Sequence, residues 1–490
     1  MSEHMIQAAM IAERKKSSKS LICACLLHDY GHFILEDPDK LVRKKIDGKH
    51  EDIGYEYSAD KTLQPKALLP QYVSVDSFYS LSKVGITSVG NFYTTAPDLV
   101  VLDGITKLPV DEVVLEYTLG NSHVGIVKNT TSLNKDIPLS SLATHAAKAS
   151  VDDAGIQSSD IDHIVWGNVL PVDPDGYYVG RVAGLNIGMP ENSCALQVNR
   201  ACGSGTQAII TAAQQILTGH GEIALAGGGE NFSRGGFVNQ KMRWGVIRGS
   251  QAFEDSVEWA YNDPFGHGLM GVTAENLADD YQYQREQMDE WSLMSQQRAG
   301  TAMDSGFLSR QIAPIEVAEG RKNTRLMEHD EFPRPDVSID KLGMLKPVFR
   351  KDGKVTPGNS SGVTDGAAFV VVGDRKAIES RGSEPLARLV DWAIVGVEPR
   401  IMGCGPVPAI RALWEKRGLK PSDVDYYEIN EAFAVVNLHA EKELGVSREI
   451  TNCYGGGISI GHPPGATGVR MTLTAIHHLI DTNQRFAIIS

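Results

Sequence analysis

The residues of this sequence whose types and spacing could support chemistry are centred on Cys202. This cysteine stands in a polar, glycine-containing turn, between an apolar segment at 195–198 and an apolar-periodic run at 206–218. The pattern predicts a helix that begins at the cysteine, with Gly203 and Gly205 allowing the backbone close to it. The dipole and free N–H groups of a helix N-terminus stabilise a thiolate. A thiolate in that position can accept an acyl group as a nucleophile.

Three later segments contain polar residues that could complete such a site. Asn430 and Glu431 follow an apolar run at 424–429, His462 lies in a glycine-rich stretch, and residues 358–368 combine glycine, serine and aspartate. A neutral histidine can act as a general base near neutral pH. Each segment also fits a structural role when taken alone, because Asn430 and Glu431 can cap a helix and Gly-His-Pro can form a turn.

Strands and helices alternate from about residue 131 onward, and these elements must position the polar residues. The pattern predicts strands at 161–165 and 223–229 and helices at 206–218, 272–283 and 285–304. Such alternation is typical of an α/β fold with a largely buried sheet. The chain becomes more polar between about 232 and 363, which indicates an insertion over the sheet.

Composition and charge exclude several classes of partner. The 490 residues are 42% hydrophobic and carry a net charge of −14, which disfavours nucleic acid and anionic membrane as main partners. No apolar run reaches the roughly 18 residues that a membrane-spanning helix needs. The six cysteines form no CxxC pair, so we expect a reducing, cytoplasmic environment.

In this order and combination, the four segments resemble the thiolase family, the acyl-CoA:acetyl-CoA acyltransferases, over about 131–490. Matching stretches also occur at 227–230, 270–278, 295–299 and 402–408. The resemblance implies the thiolase fold, an α/β architecture of two similar halves in αβαβα layers, at 131–384 and 385–490. It places a loop domain at about 232–363. It further implies acyl-CoA, acetyl-CoA and CoA as substrates, no cofactor, and a homo-oligomer.

The resemblance also assigns roles to individual residues. Cys202 would carry the acyl group in a ping-pong reaction, and His462 would be its general base. Asn430 would hold a water that, with His462, forms an oxyanion hole. Arg334 matches an arginine near the adenine nucleotide of CoA, and Ser361 matches a serine that touches the pantetheine.

Two parts of the family pattern are not matched. The usual first strand is replaced by a different sequence at 124–133, so we expect that strand to be rebuilt. The family's second catalytic cysteine, in a Cys-x-Gly turn, and the closing strand after it would fall just beyond Ser490. We therefore expect residues 1–490 to accept an acyl group on Cys202 but to be impaired in full turnover.

Residues 1–62 carry a second set of polar residues on predicted helices, namely His4, His28, Asp29 and His50. Histidine and aspartate at these gaps suit helices that converge on one or two metal ions. The set resembles the HD-domain metal-dependent phosphohydrolases, and more closely the di-iron HD oxygenases of organophosphonates, which implies iron or another divalent metal. The next family histidine would fall near Ser74, so we expect the set to be incomplete.

The region 63–130 matches no motif and connects these two parts, with short strands expected at 99–102 and 113–115. Two partial families in one chain suggest the hypothesis of a fused reading frame. Three functions remain open from the sequence. They are a thiolase, a metal-dependent HD hydrolase or oxygenase, and a non-catalytic CoA- or lipid-binding relative of thiolases.

Overall fold

The computed structural model describes three short strands before residue 129 and then residues 136–246, 248–319 and 323–490. Every described residue belongs to one compact unit, Asn91–Ser490. The helices predicted within 1–62 and the candidate metal ligands His4, His28, Asp29 and His50 lie outside the described residues.

The strands of this unit are β1 (Leu99–Gly104), β2 (Val113–Glu116), β3 (Val127–Lys128), β4 (His163–Gly167), β5 (Cys194–Val198), β6 (Ile223–Glu230), β7 (Phe237–Val238), β8 (Glu254–Asp255), β9 (Asn262–Asp263), β10 (Gly268–Leu269), β11 (Ile315–Glu319), β12 (Asn323–Met327), β13 (Thr364–Asp374), β14 (Ala387–Ala393), β15 (Tyr426–Glu428) and β16 (Phe486–Ile489). The α-helices are α1 (Leu139–Ala154), α2 (Val179–Asn186), α3 (Ser204–Leu217), α4 (Ser256–Ala260), α5 (Met270–Asp280), α6 (Arg285–Asp304), α7 (Ile339–Gly343), α8 (Arg375–Ser380), α9 (Pro406–Arg417), α10 (Ala434–Leu444) and α11 (Pro464–Thr482). Among the described helices, none is both long and apolar enough to span a membrane.

A ten-stranded mixed sheet forms the frame of the unit, in the order β15-β16-β1-β14-β2-β13-β6-β4-β5, with β3 beside β13. β4 is parallel to β5 and β6, and β15 is parallel to β16. The remaining pairs within this sheet are antiparallel. Strands that alternate with helices in a buried mixed sheet confirm the predicted α/β class.

Both faces of the sheet are buried at its central strands β4, β6 and β13, which explains why these strands are nearly continuous apolar runs. Successive side chains point to opposite faces, so Val370 packs toward α3 and α11 while Phe369 packs toward α1. In the C-terminal half, Tyr426 faces the same inner helices and Tyr427 faces α5, α6, α9 and α10. The helices therefore lie in three layers separated by sheet, which is the predicted αβαβα arrangement.

The two inner helices, α3 and α11, meet at their N-terminal ends, where glycines leave no room for side chains. A Cβ on Gly205 would lie 2.8 Å from the carbonyl oxygen of Gly465. A Cβ on Gly468 would lie 2.4 Å from a backbone nitrogen of α3. Gly205 therefore allows α3 and α11 to touch, whereas the sequence pattern indicated that this glycine lets the backbone come close to Cys202. Cys202 precedes α3 and His462 precedes α11. Because these helix ends touch, the two residues lie in the same region of the fold.

The connecting region contributes strands to the sheet, and the short strands expected at 99–102 and 113–115 are confirmed as β1 and β2. β1 lies between β14 and β16 and is antiparallel to both, with Val101 opposite Asp391 on one side and Ile488 on the other. Within 124–133, where we expect an altered first strand, the structure describes β3, and both β2 and β3 pair with β13. The sheet is therefore continuous across its C-terminal half, where we had expected a closing strand to be missing.

Replacing Val101 by proline is expected to lower the free energy of unfolding by about 2 kcal/mol or more. Proline lacks the backbone donor that a residue can contribute to pairing, and it is poorly tolerated in a strand that is paired on both sides. Denaturant unfolding of the Val101→Pro and Val101→Thr variants measures the effect, because threonine keeps the N–H group and the β-branch. Equal stability of the two variants would contradict the placement of β1 in the sheet.

The helix predictions agree closely with the structure at α6, which spans Arg285–Asp304 as expected. The prediction that a helix begins at the cysteine is wrong by two residues, because Gly203 is the N-cap and α3 begins at Ser204. A loop domain over the sheet stays a prediction for residues 232–363. They contain α4 to α7 and the two-stranded pairs β7–β8, β9–β10 and β11–β12.

Candidate active site

Cys202 lies in a tight turn between β5 and α3 that local hydrogen bonds hold in place. Ala201 has a positive φ of 44°, a conformation that costs free energy for a residue with a Cβ. Its N–H donates to the side-chain oxygen of Asn199 at 3.0 Å, and its carbonyl accepts from the Ser204 hydroxyl at 2.7 Å. The Ser204 oxygen also accepts from the backbone N–H of Arg200 at 2.9 Å. The turn therefore fixes Cys202 just before the N-terminal end of α3.

The environment of Cys202 favours the neutral thiol rather than the thiolate that the sequence predicted. Burial raises the pKa of Cys202 to about 11, and the nearby Glu230 carboxylate raises it as well. Cys202 therefore needs a base that removes its proton during the reaction.

His462 has the properties of that base. Burial lowers the pKa of His462 to about 3, and the positive charge of Arg470 lowers it too, so the imidazole is neutral. Its Nδ1 lies 2.7 Å from the Thr467 hydroxyl, and that hydroxyl donates to the Pro463 carbonyl at 3.0 Å. The hydroxyl must then accept from Nδ1–H, so this network assigns the proton to Nδ1 and a lone pair to Nε2.

Asn430 connects the histidine to the cavity that contains Cys202. Its Nδ2 lies 3.4 Å from Nε2 of His462, and its backbone N–H donates to the Ser490 carbonyl at 2.8 Å. Its side-chain oxygen is buried and accepts no hydrogen bond from the described residues. A buried amide oxygen without a protein partner fits a group that binds water.

Glu431 is a fully buried acceptor that holds this region together, and the structure gives it no capping role. It accepts from Trp291 Nε1 at 3.1 Å, from the Ser295 hydroxyl at 2.6 Å and from the backbone N–H of Ile458 at 3.2 Å. A Cβ on Gly456 would lie 2.5 Å from its carboxyl carbon. These contacts tie the loop of Asn430 to the glycine-rich segment that precedes His462.

Cys202 and Asn430 line one cavity of about 80 Å³ between the two halves of the fold. His462 lies directly behind Asn430 and outside the cavity lining. Most of the wall is apolar, and its larger apolar side chains are Val169, Phe232, Met270, Met402, Phe433 and Val436. An apolar cavity with a few converging polar groups is typical of a small-molecule site.

The two predicted CoA contacts lie outside this cavity. Arg334 is exposed, and its backbone N–H donates to the Gln296 side chain at 2.7 Å. Ser361 is partly buried, and its backbone N–H donates at 2.9 Å to the carbonyl of Ala432, which lines the cavity. The structure thus brings together Cys202, His462 and Asn430 but leaves both CoA contacts as predictions.

Two residues near the site had no role in the sequence analysis. Glu230 ends a glycine-rich strand, and burial raises its pKa to about 8 although it accepts hydrogen bonds from Asn168 and Leu170. Tyr261 lines the cavity and lies in no motif. Glu230 could have been found from the sequence, because it ends the stretch 227–230 that matches the thiolase family. Tyr261 lies in no such stretch, and only the folded structure shows that it lines the cavity.

The fold and this site define a class of protein, the cysteine-dependent acyltransferases built on two α/β halves. Residues 122–376 match the family model "Thiolase, N-terminal domain", and residues 383–490 match "Thiolase, C-terminal domain". The chain belongs to the thiolase family.

Several relatives are similar over most of their length. The chain is 43% identical to the β-ketothiolase BktB of Cupriavidus necator over 357 residues, which are 73% of this chain and 90% of the relative. It is 39% identical to the human mitochondrial 3-ketoacyl-CoA thiolase over the same share of both chains. The crystal structure of that human enzyme matches with a TM-score of 0.74, covering 77% of this chain and 94% of the other. The Bacillus anthracis acetyl-CoA acetyltransferase also matches at 0.74.

The N-terminal resemblance is confirmed as well, because residues 1–72 match the HD domain model. Within the described residues, no group of three or more histidine, cysteine or acidic side chains could hold a metal ion. The candidate ligands His4, His28, Asp29 and His50 lie outside those residues, so metal binding by the HD region remains a prediction.

Proposed function

We infer that this chain is an acyl-CoA:acetyl-CoA C-acyltransferase that carries the acyl group on Cys202. The observation that carries this inference is the shared cavity of Cys202 and Asn430, with neutral His462 against the asparagine. Membership of the thiolase family supports the same reaction.

Loading of the acyl group begins with transfer of the Cys202 thiol proton to Nε2 of His462. The thiolate sulfur forms a bond to the thioester carbonyl carbon of acyl-CoA. The carbon–sulfur bond to CoA then breaks, and the CoA sulfur takes the proton from His462. The products are an acyl thioester on Cys202 and free CoA, and the acyl group passes next to CoA or to the α-carbon of acetyl-CoA.

Negative charge on the carbonyl oxygen needs hydrogen-bond donors during this step. The orphaned side-chain oxygen of Asn430 supports a bound water as one donor, since that water would donate one proton to Asn430 and one to the substrate oxygen. Family resemblance assigns a second oxyanion hole in part to the backbone N–H of Cys202. Thr467 acts as a positioning residue, because its hydroxyl fixes the Nδ1 proton of His462.

CoA recognition, assembly and location are also parts of this proposal. Arg334 and Ser361 contact the adenine nucleotide and the pantetheine, respectively, and a structural relative has been solved in complex with CoA. The chain forms a homo-oligomer, which is supported by the exposed residues of edge strand β5, including Leu196. The protein is cytoplasmic, which is supported by the free thiols of Cys194, Cys202, Cys404 and Cys453.

We expect a polypeptide of residues 1–490 to load acyl groups faster than it completes thiolysis. Of the four described cysteines, only Cys202 lines the cavity, so none of the other three protonates the α-carbon of the acetyl-CoA that leaves during thiolysis. One preparation is tested for exchange of label between acetyl-CoA and CoA and for cleavage of acetoacetyl-CoA. Exchange should be measurable, and cleavage should be about 100-fold or more slower than by the human mitochondrial relative.

The matched control is Cys404→Ala, because this thiol adjoins Gly403 in the cavity wall without lining the cavity itself. We expect Cys404→Ala to leave both rates unchanged. Cleavage at the relative's rate would contradict impaired turnover. Absence of exchange would contradict the acyltransferase function and favour a non-catalytic CoA-binding protein.

A further inference from the structure

We propose that Tyr261 closes the acyl end of the cavity and restricts this chain to short acyl groups of about two to four carbons. This proposal rests on the acyltransferase function and adds to it the substrate class and the residue that determines it.

The size of the cavity supports a short acyl group. Its volume is about 80 Å³, whereas small-molecule sites usually measure about 300–1,000 Å³. The space is therefore small, and part of it must receive the thioester sulfur and carbonyl oxygen. A two- to four-carbon acyl group fits into what remains, whereas an eight-carbon chain does not.

Tyr261 is the large polar-tipped aromatic residue in this wall, and it lies close to Cys202. Both residues line the same cavity, and the negative charge of a Cys202 thiolate contributes to holding the pKa of Tyr261 well above its ordinary value. Burial is the main cause of that shift. The phenol thus stays neutral and occupies space at the end of the cavity without introducing a charge.

The ring is held from several sides and cannot easily move aside for a longer chain. The backbone N–H of Tyr261 donates to the Glu258 carbonyl at 3.1 Å, and its own carbonyl accepts from Met270 N–H at 2.8 Å. Its ring packs against Phe232 with the ring centres 5.5 Å apart. The β9–β10 pair follows directly, which anchors the loop that carries the tyrosine.

The test compares Tyr261→Ala with Tyr261→Phe and with Tyr177→Ala, which removes a tyrosine that is 69% exposed and lies outside the cavity. The ratio of octanoyl to acetyl exchange between acyl-CoA and CoA is measured for each protein. The unmodified chain should exchange octanoyl groups about tenfold or more slowly than acetyl groups. Tyr261→Ala should raise this ratio by about tenfold, while Tyr261→Phe and Tyr177→Ala should leave it unchanged.

An unaltered ratio in Tyr261→Ala, or octanoyl exchange as fast as acetyl exchange in the unmodified chain, would overturn the proposal. A second measurement does not depend on catalysis. Methyl and octyl methanethiosulfonates convert the Cys202 thiol to a mixed disulfide and release a sulfinate, and their relative rates report the space beside the sulfur. Octyl labelling should be slow in the unmodified chain and fast in Tyr261→Ala, even if acyl exchange is absent and the acyltransferase function fails. Equal octyl labelling of both proteins would overturn the role of Tyr261.

Discussion

Cys202→Ala is expected to abolish exchange of acyl groups between acyl-CoA and free CoA. The exchange requires an acyl-enzyme, and alanine offers no atom that can form one. Removal of a nucleophile from a covalent catalyst costs on the order of 10⁶-fold, so the variant should fall to the background rate. Labelled CoA and unlabelled acetyl-CoA, separated after incubation, measure the effect.

The control variants for this experiment are Cys194→Ala and Cys453→Ala. Neither cysteine lines the cavity, and Cys194 is exposed on the edge strand β5. Both variants should exchange acyl groups at the rate of the unmodified chain. Residual exchange in Cys202→Ala, or its loss in Cys194→Ala, would show that another group carries the acyl chain.

His462→Gln is expected to slow exchange by about 10²- to 10⁴-fold, which is the usual contribution of a positioned general base. The pH profile should change as well. In the unmodified chain the base has a pKa of about 3 and the thiol a pKa of about 11, so the rate should be flat from about pH 5 to pH 9. Without the base, only the thiolate reacts, and the rate should rise about tenfold per pH unit toward pH 11.

His477→Gln provides the matched control for this profile. Burial lowers the pKa of His477 to about 4, so it is also a neutral buried histidine, but it lies within α11 and packs near Phe307 instead of against Asn430. This variant should keep the flat profile. A flat profile in His462→Gln, or a bell centred near pH 6.5 in the unmodified chain, would contradict a neutral His462 base.

The α/β class could be predicted from the sequence because the relevant signals are local, whereas the αβαβα layering came only from the resemblance to thiolases. Alternating apolar runs and glycine-rich turns mark buried strands and their helices, and α6 was found at its predicted bounds. The pairing of β1 between β14 and β16 could not be predicted, although a strand was expected there. Pairing joins residues almost 400 positions apart, such as Val101 and Ile488, and no local pattern encodes that contact.

The sequence identified the residues of the site but not all of their protonation states. Residue types and order indicated Cys202, His462 and Asn430, and the structure places Cys202 and Asn430 in one cavity with His462 against the asparagine. The prediction of a stabilised thiolate at Cys202 differs from the structure, because the pKa of this thiol depends on burial and on Glu230. Glu230 comes near Cys202 only through tertiary packing. The neutral state of His462 was expected from its chemistry, whereas its fixed tautomer depends on Thr467.

The most direct test of the central claim is the mass of the intact protein after mixing with acetyl-CoA, followed by mapping of the modified peptide. The account predicts one acetyl group per chain, located on Cys202 and absent from Cys202→Ala. An unmodified protein, or an acetyl group that persists in Cys202→Ala, would contradict it.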